Sequence, residues 1–85
     1  MAKSKFSKAD DIFRHLLKQI RISKRLTQVA LGRRLGQPQS FVSKYETGER
    51  RLDFVETVFV CQALGIEVSQ FAETFSSELA RTRRG

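Results

Sequence analysis

The stretch TQVALGRRLGQPQSFVSKYETGE, residues 27–49, decides the fold. Thr27 is a capping residue type, and Val29, Leu31 and Leu35 follow it at helical spacing. Gly36 stops that helix, because glycine enters the left-handed conformation without a Cβ penalty. Pro38 suits the first turn of the next helix, where a missing N–H costs nothing. Phe41, Val42 and Tyr45 give this helix its apolar side, and Gly48 ends it. The pattern predicts two helices joined by a three- or four-residue turn, a helix-turn-helix unit over Gln28 to Thr47.

Outward from this unit the helical pattern continues in both directions. Toward the N-terminus, Ile12, Phe13, Leu16, Leu17 and Ile20 recur on one helix face, with Ser7 and Asp10 as its capping pair. Toward the C-terminus, Asp53 and Glu56 form a second capping-box pair before Phe54, Val55, Val58, Phe59, Cys61 and Leu64. A strand over Val55–Val60 is the alternative there; the cap and the stop at Gly65 favour a helix. Ser69 can cap a fifth helix carrying Phe71, Ala72, Phe75 and Leu79. The expected architecture is an all-α, compact five-helix domain over residues 8–80, with a basic arm (1–7) and a frayed basic tail (81–85).

Eighty-five residues make one domain and leave little room for a catalytic cleft. The net charge is +7, concentrated at the two ends. Such a balance suits a polyanion partner or, more plainly, a solubilising surface. One cysteine rules out an intrachain disulfide and a cysteine-based zinc site, and Cys61 reads as a small buried hydrophobe. His15 has only Asp11 at helical spacing, so a solvated position fits better than a metal site. No apolar run reaches the roughly 20 residues of a membrane span, and no signal-peptide core follows the N-terminal lysines. A cytoplasmic protein is expected, with no membrane association, no enzymatic activity, no cofactor, no metal and no small-molecule ligand.

With Leu31, Leu35, Val42 and Tyr45 turned inward, the second helix of the unit presents Gln37, Gln39, Ser40, Ser43 and Lys44 outward. All are hydrogen-bonding types and none is acidic, as suits a DNA groove lined by acceptors and flanked by phosphates. In such units the second helix enters the major groove while the first crosses the backbone. Arg50 and Arg51, in the loop after this helix, are placed to meet phosphates, with Thr47 beside them. Arg33 and Arg34 are weaker candidates.

From about Phe13 to Phe71 the chain resembles the phage repressor and Cro-like, or Xre-type, helix-turn-helix domains, whose fold is lambda-repressor-like. The resemblance is carried by Leu17, Ile20, Arg21, Leu26-Thr27-Gln28, Leu31 and Leu35-Gly36. Ser40, Val42-Ser43, Glu46, Gly48, Arg50 and Ala63-Leu64-Gly65-Ile66 complete it. It implies that Gln28 bonds a phosphate and abuts the recognition helix, and that Gln39 and Ser40 read base edges, with Lys44 one turn along. It also implies a salt bridge between Arg21 and Glu46 tying the first helix to the end of the recognition helix. Four positions depart from the pattern. Arg25 stands where glycine is usual, Leu52-Asp53 lacks the common proline, and Phe41 is large for its place, facing either a thymine methyl or the sugar-phosphate chain. Gly32 replaces the usual alanine, fitting a close helix crossing but weakening the helix by roughly 0.5–1 kcal/mol.

The reading is a sequence-specific transcriptional regulator acting as a homodimer on a palindromic operator, since one short helix sees too few base pairs. Phe71, Phe75 and Leu79 are the expected dimer contact. Almost nothing of the chain remains for an effector domain, so the protein is expected to sense only its own concentration and site occupancy. Among small members of the family it resembles restriction-modification controller proteins first, then Cro-like repressors and antitoxins. The alternative is a protein-interaction module, such as one binding a toxin, in which DNA is secondary.

Overall fold

Five helices follow one another: α1 (Lys5–Ser23), α2 (Gln28–Leu35), α3 (Gln39–Thr47), α4 (Phe54–Leu64) and α5 (Val68–Arg84). They are seen in a computed structural model that describes the backbone of residues 5–84 and the side chains of residues 7–82. No strand occurs among the described residues. The predicted stops operate: Gly36 closes α2 at φ 66°, and Gly48 and Gly65 close α3 and α4. The predicted starts operate for α2 and α4. Thr27 Oγ1 accepts from the Ala30 N–H at 3.0 Å, and Asp53 and Glu56 complete a reciprocal capping box at 2.7 and 2.9 Å.

The outer helix ends differ from expectation. α1 already includes Lys5, so Ser7 and Asp10 lie inside it rather than at its cap. α5 begins at Val68, with the Phe71 N–H bonded to the Glu67 carbonyl at 3.1 Å, so Ser69 is a helical residue and not the cap. The same helix continues through Arg84, where a frayed tail was expected; Arg81 pairs with Glu78 at 3.4 Å. Residues 1–4 of the expected arm, and Gly85, lie outside the described residues.

Every helix contributes to one core. Leu17 comes from α1, Leu31 from α2, Val42 and Tyr45 from α3, Val60, Cys61 and Leu64 from α4, and Phe71 from α5. Burial pushes the Cys61 thiol up to about 11, so it behaves as the small hydrophobe its neighbours suggested.

Phe71 is the main correction. Its side chain is 4% exposed, and α1 covers it. Phe13 meets Phe71 edge-on at 5.6 Å and Phe75 edge-on at 5.7 Å, while Phe71 and Phe75 stack. The expected dimer contact of Phe71, Phe75 and Leu79 assumed that α5 had no cover. The three-ring cluster supplies that cover for Phe71, whereas Phe75 and Leu79 are half-buried. Phe71 belongs to the monomer's core.

The α1–α2 turn holds Arg25 at φ 59°, the one non-glycine left-handed residue described. An L-residue with a Cβ costs about 1–2 kcal/mol there, partly offset by the extra chain entropy that glycine loses on folding. Arg25→Gly is therefore expected to stabilise the fold by about 0.5–1 kcal/mol, measured by urea unfolding. An unchanged or lower midpoint would mean that Arg25 makes a compensating interaction.

Candidate nucleic-acid interface

The crossing of α2 and α3 starts from Gly32. A Cβ built there would sit 2.7 Å from the Gln37 carbonyl oxygen and 3.4 Å from the Pro38 backbone. The α2 backbone thus lies directly on the turn, and the Gln37 N–H closes that turn on the Gly32 carbonyl at 2.9 Å. α3 leaves the turn with Val42, Tyr45 and Glu46 buried. Gln39, Ser40, Lys44 and Thr47 are exposed, as is Gln37 before the helix, while Ser43 is half-buried. The exposed face of α3 is thus uncharged or positive.

Behind that face runs a connected polar line. The Arg21 guanidinium grips Glu46 with two donors, Nε to Oε2 at 2.7 Å and Nη2 to Oε1 at 3.0 Å. Its Nη1 donates to the Leu26 carbonyl at 2.8 Å, tying in the α1–α2 turn. The Gln28 amide donates to Glu46 Oε1 at 2.9 Å. Gln39 Nε2 in turn donates to Gln28 Oε1 at 2.7 Å. Arg21 is raised above the usual arginine range by its hydrogen bond to Glu46, with burial opposing. Glu46 has a side chain only 2% exposed, so it depends on these donors for the solvation it has lost. Burial pushes the Tyr45 hydroxyl above the usual tyrosine range.

Arg14 was not foreseen. It donates to the Glu46 carbonyl at 3.2 Å, pairs with Asp10 and Asp11, and packs over Gly48. It thereby holds the carboxyl end of α3 against α1. The available signal was its seven-residue spacing from Arg21, which puts both on one face of α1.

The loop after α3 gives Arg50 a different task from the one expected. Its guanidinium is held by both Glu56 oxygens, at 3.1 and 2.6 Å, and lies 4.8 Å over the Phe41 ring. Arg50 therefore braces the loop against the start of α4, and Arg51 is the exposed cation of that loop. Phe41 packs under Arg50 and edge-on to Tyr45 at 5.8 Å, a structural position. Arg50 holds the Glu56 carboxyl below the usual carboxylate range, helped by the Asp53 N–H. The stability this adds is present above the ordinary glutamate range and is lost as pH falls through the lowered value. Arg33 and Arg34 are both exposed, and Arg34 donates to the Ala63 carbonyl at 2.9 Å.

Comparison with known proteins gives the same picture. The helix-turn-helix family model matches residues 17–71. The structure is similar to an XRE-family like protein from Pseudomonas syringae pv. tomato str. DC3000, at 34% identity and a TM-score of 0.82. That match covers 86% of this chain and 89% of the other. Among curated proteins none matches. The chain belongs to the XRE-type helix-turn-helix family of DNA-binding transcription regulators.

Proposed function

We propose that this regulator reads a palindromic operator as a homodimer, with Gln39, Ser40 and Lys44 contacting base edges in the major groove. The observation that carries this is the line Glu46–Gln28–Gln39, which fixes one amide at the N-terminal end of α3. Gln39 spends one N–H on Gln28 and keeps its carbonyl oxygen and a second N–H. Those two groups are what adenine requires for bidentate pairing, and lysine suits guanine. Ser40 serves either base, and Ser43 and Gln37 flank the reading face. Phosphate contacts fall to Gln28, Thr47 and Arg51, with Arg50 bracing the loop that carries Arg51. No single helix among the described residues is long and apolar enough to cross a membrane. The proposed setting is the cytoplasm, and the proposed action is binding without catalysis. Within the family we place it first with restriction-modification controllers. A neighbouring methyltransferase or endonuclease gene supports that placement, and a toxin gene favours the antitoxin reading instead.

Selection on randomised duplexes tests the base-reading assignment. Gln39→Ala and Lys44→Ala are each expected to cost about 1–3 kcal/mol on the selected operator and to relax preference at one base position. Affinity for random DNA should change little for Gln39→Ala, because a neutral side chain adds little to the phosphate term. If both variants select the parental half-site with undiminished discrimination, α3 does not read the bases.

A further inference from the structure

α4 is mostly apolar, with Glu56, Thr57 and Gln62 as its polar residues, yet it is covered on one side only. Thr57, Val60, Cys61 and Leu64 face the core. Phe54, Val55 and Phe59 are 74, 62 and 58% exposed. Val55 and Phe59 are four residues apart and so stand one above the other on the helix surface, with Phe54 beside them at the first turn. Together they leave on the order of 350 Å² of mainly apolar surface in water, as much as the largest patch on many whole proteins. The capping box and the Arg50–Glu56 pair pin the first turn beneath it, so the patch is presented rigidly.

We infer that this face of α4 is where a second copy of the chain docks. The inference rests on the operator-binding reading above and names the surface that reading requires. Position is the first reason. Phe59 shares a groove of about 130 Å³ with Gln37 and Phe41, so the patch borders the DNA-reading helix. Size is the second. Half-site centres on one face of DNA lie about 34 Å apart, and the chain measures 37 × 29 × 22 Å. Two copies in successive major grooves are therefore close enough to meet, and the face beside the recognition helix is available for that contact. Chemistry is the third. A two-fold interface places the same patch against itself, which an uncharged apolar stripe tolerates and a single-sign charged one does not. Its area also fits: a standard interface buries about 800 Å² per partner, a little over half of it apolar.

The test is sedimentation of the full chain over a concentration series, alone and with a duplex that the parental protein selects from a randomised pool. Val55→Glu and Phe59→Glu are compared with Ser76→Glu, an exposed position on α5. The two α4 variants are expected to weaken dimerisation at least about thirtyfold, as for interface hot spots. Their thermal melts and their binding to a duplex truncated to one half-site should be unchanged, and Ser76→Glu should behave as the parent. In a separate experiment, Val55→Cys or Phe59→Cys should form a covalent dimer under mild oxidation. If the parent dimerises, the α4 variants remain dimeric and neither cysteine cross-links, docking through α4 is overturned and the homodimer reading stands. A parent that stays monomeric with and without DNA overturns both. That result holds even if the patch captures an unrelated protein.

Discussion

Arg21→Ala is expected to lower the unfolding free energy by about 3–5 kcal/mol, the range for breaking one partner out of a buried ion pair. A domain of this size has about 4–13 kcal/mol in all, so one substitution removes a large share of it. The loss is large because Glu46 has almost no access to water and accepts two of its hydrogen bonds from this guanidinium. Gln28 would remain as a neutral donor, too weak to solvate a carboxylate alone. The Leu26 carbonyl would lose its partner in the α1–α2 turn as well. Replacing both partners by apolar residues, Arg21→Met with Glu46→Leu, should recover much of the stability, since no charge is then left stranded. Urea unfolding of the single and double variants gives the coupling. If Arg21→Ala falls within 1 kcal/mol of the parent, the pair is exposed in solution and does not tie α1 to α3. The recovered double variant should still bind its operator poorly, because Gln28 would have lost the anchor that orients Gln39.

Gly32→Val is expected to destabilise by about 3 kcal/mol, the upper end of what overpacking costs. The sign is informative for the smaller change, Gly32→Ala. Helix propensity alone makes that substitution favourable by roughly 0.5–1 kcal/mol, and alanine is the residue usual in the family. Here the new methyl would meet a backbone carbonyl at 2.7 Å, and a backbone cannot rotate aside as a side chain can. The turn would have to move, and α3 with it, so operator affinity should fall together with the melting temperature. Thermal melts beside binding isotherms settle the matter. An Ala variant more stable than the parent would show that the crossing relaxes freely.

Most of what the sequence disclosed is local, and most of what it concealed is not, although the local caps expected at Ser7 and Asp10 and at Ser69 lie inside their helices. Punctuation is local, so Gly36, Gly48, Gly65, Thr27 and the Asp53–Glu56 box were legible from residue type and spacing. The Arg21–Glu46 pair was legible only through family resemblance, since nothing local links residues 25 positions apart. The cover over Phe71 was not legible, because it depends on α1 returning to lie along α5 and bring Phe13 to it. The bare side of α4 was hidden for the opposite reason. Its apolar residues fall on every side, so periodicity assigns no outward face. Arg50 shows a third limit. In a list of charges it is a free cation, and only its contacts with Glu56 and Phe41 show that it is spoken for.

The Gln28–Gln39 bond also bears on how the protein can change its target over time. Position 39 is chained to Gln28, Glu46 and Arg21, so an altered residue there disturbs three partners at once. Lys44 makes no side-chain hydrogen bond or ion pair among the described residues, and it is exposed. Its replacements should be nearly neutral for folding and additive with changes elsewhere. Drift toward a new operator is then expected to begin at residue 44 and to reach residue 39 only with a matching change at 28. Libraries randomised at 44 alone should yield folded, retargeted proteins more often than libraries randomised at 39 alone, and joint randomisation of 28 and 39 should narrow that gap.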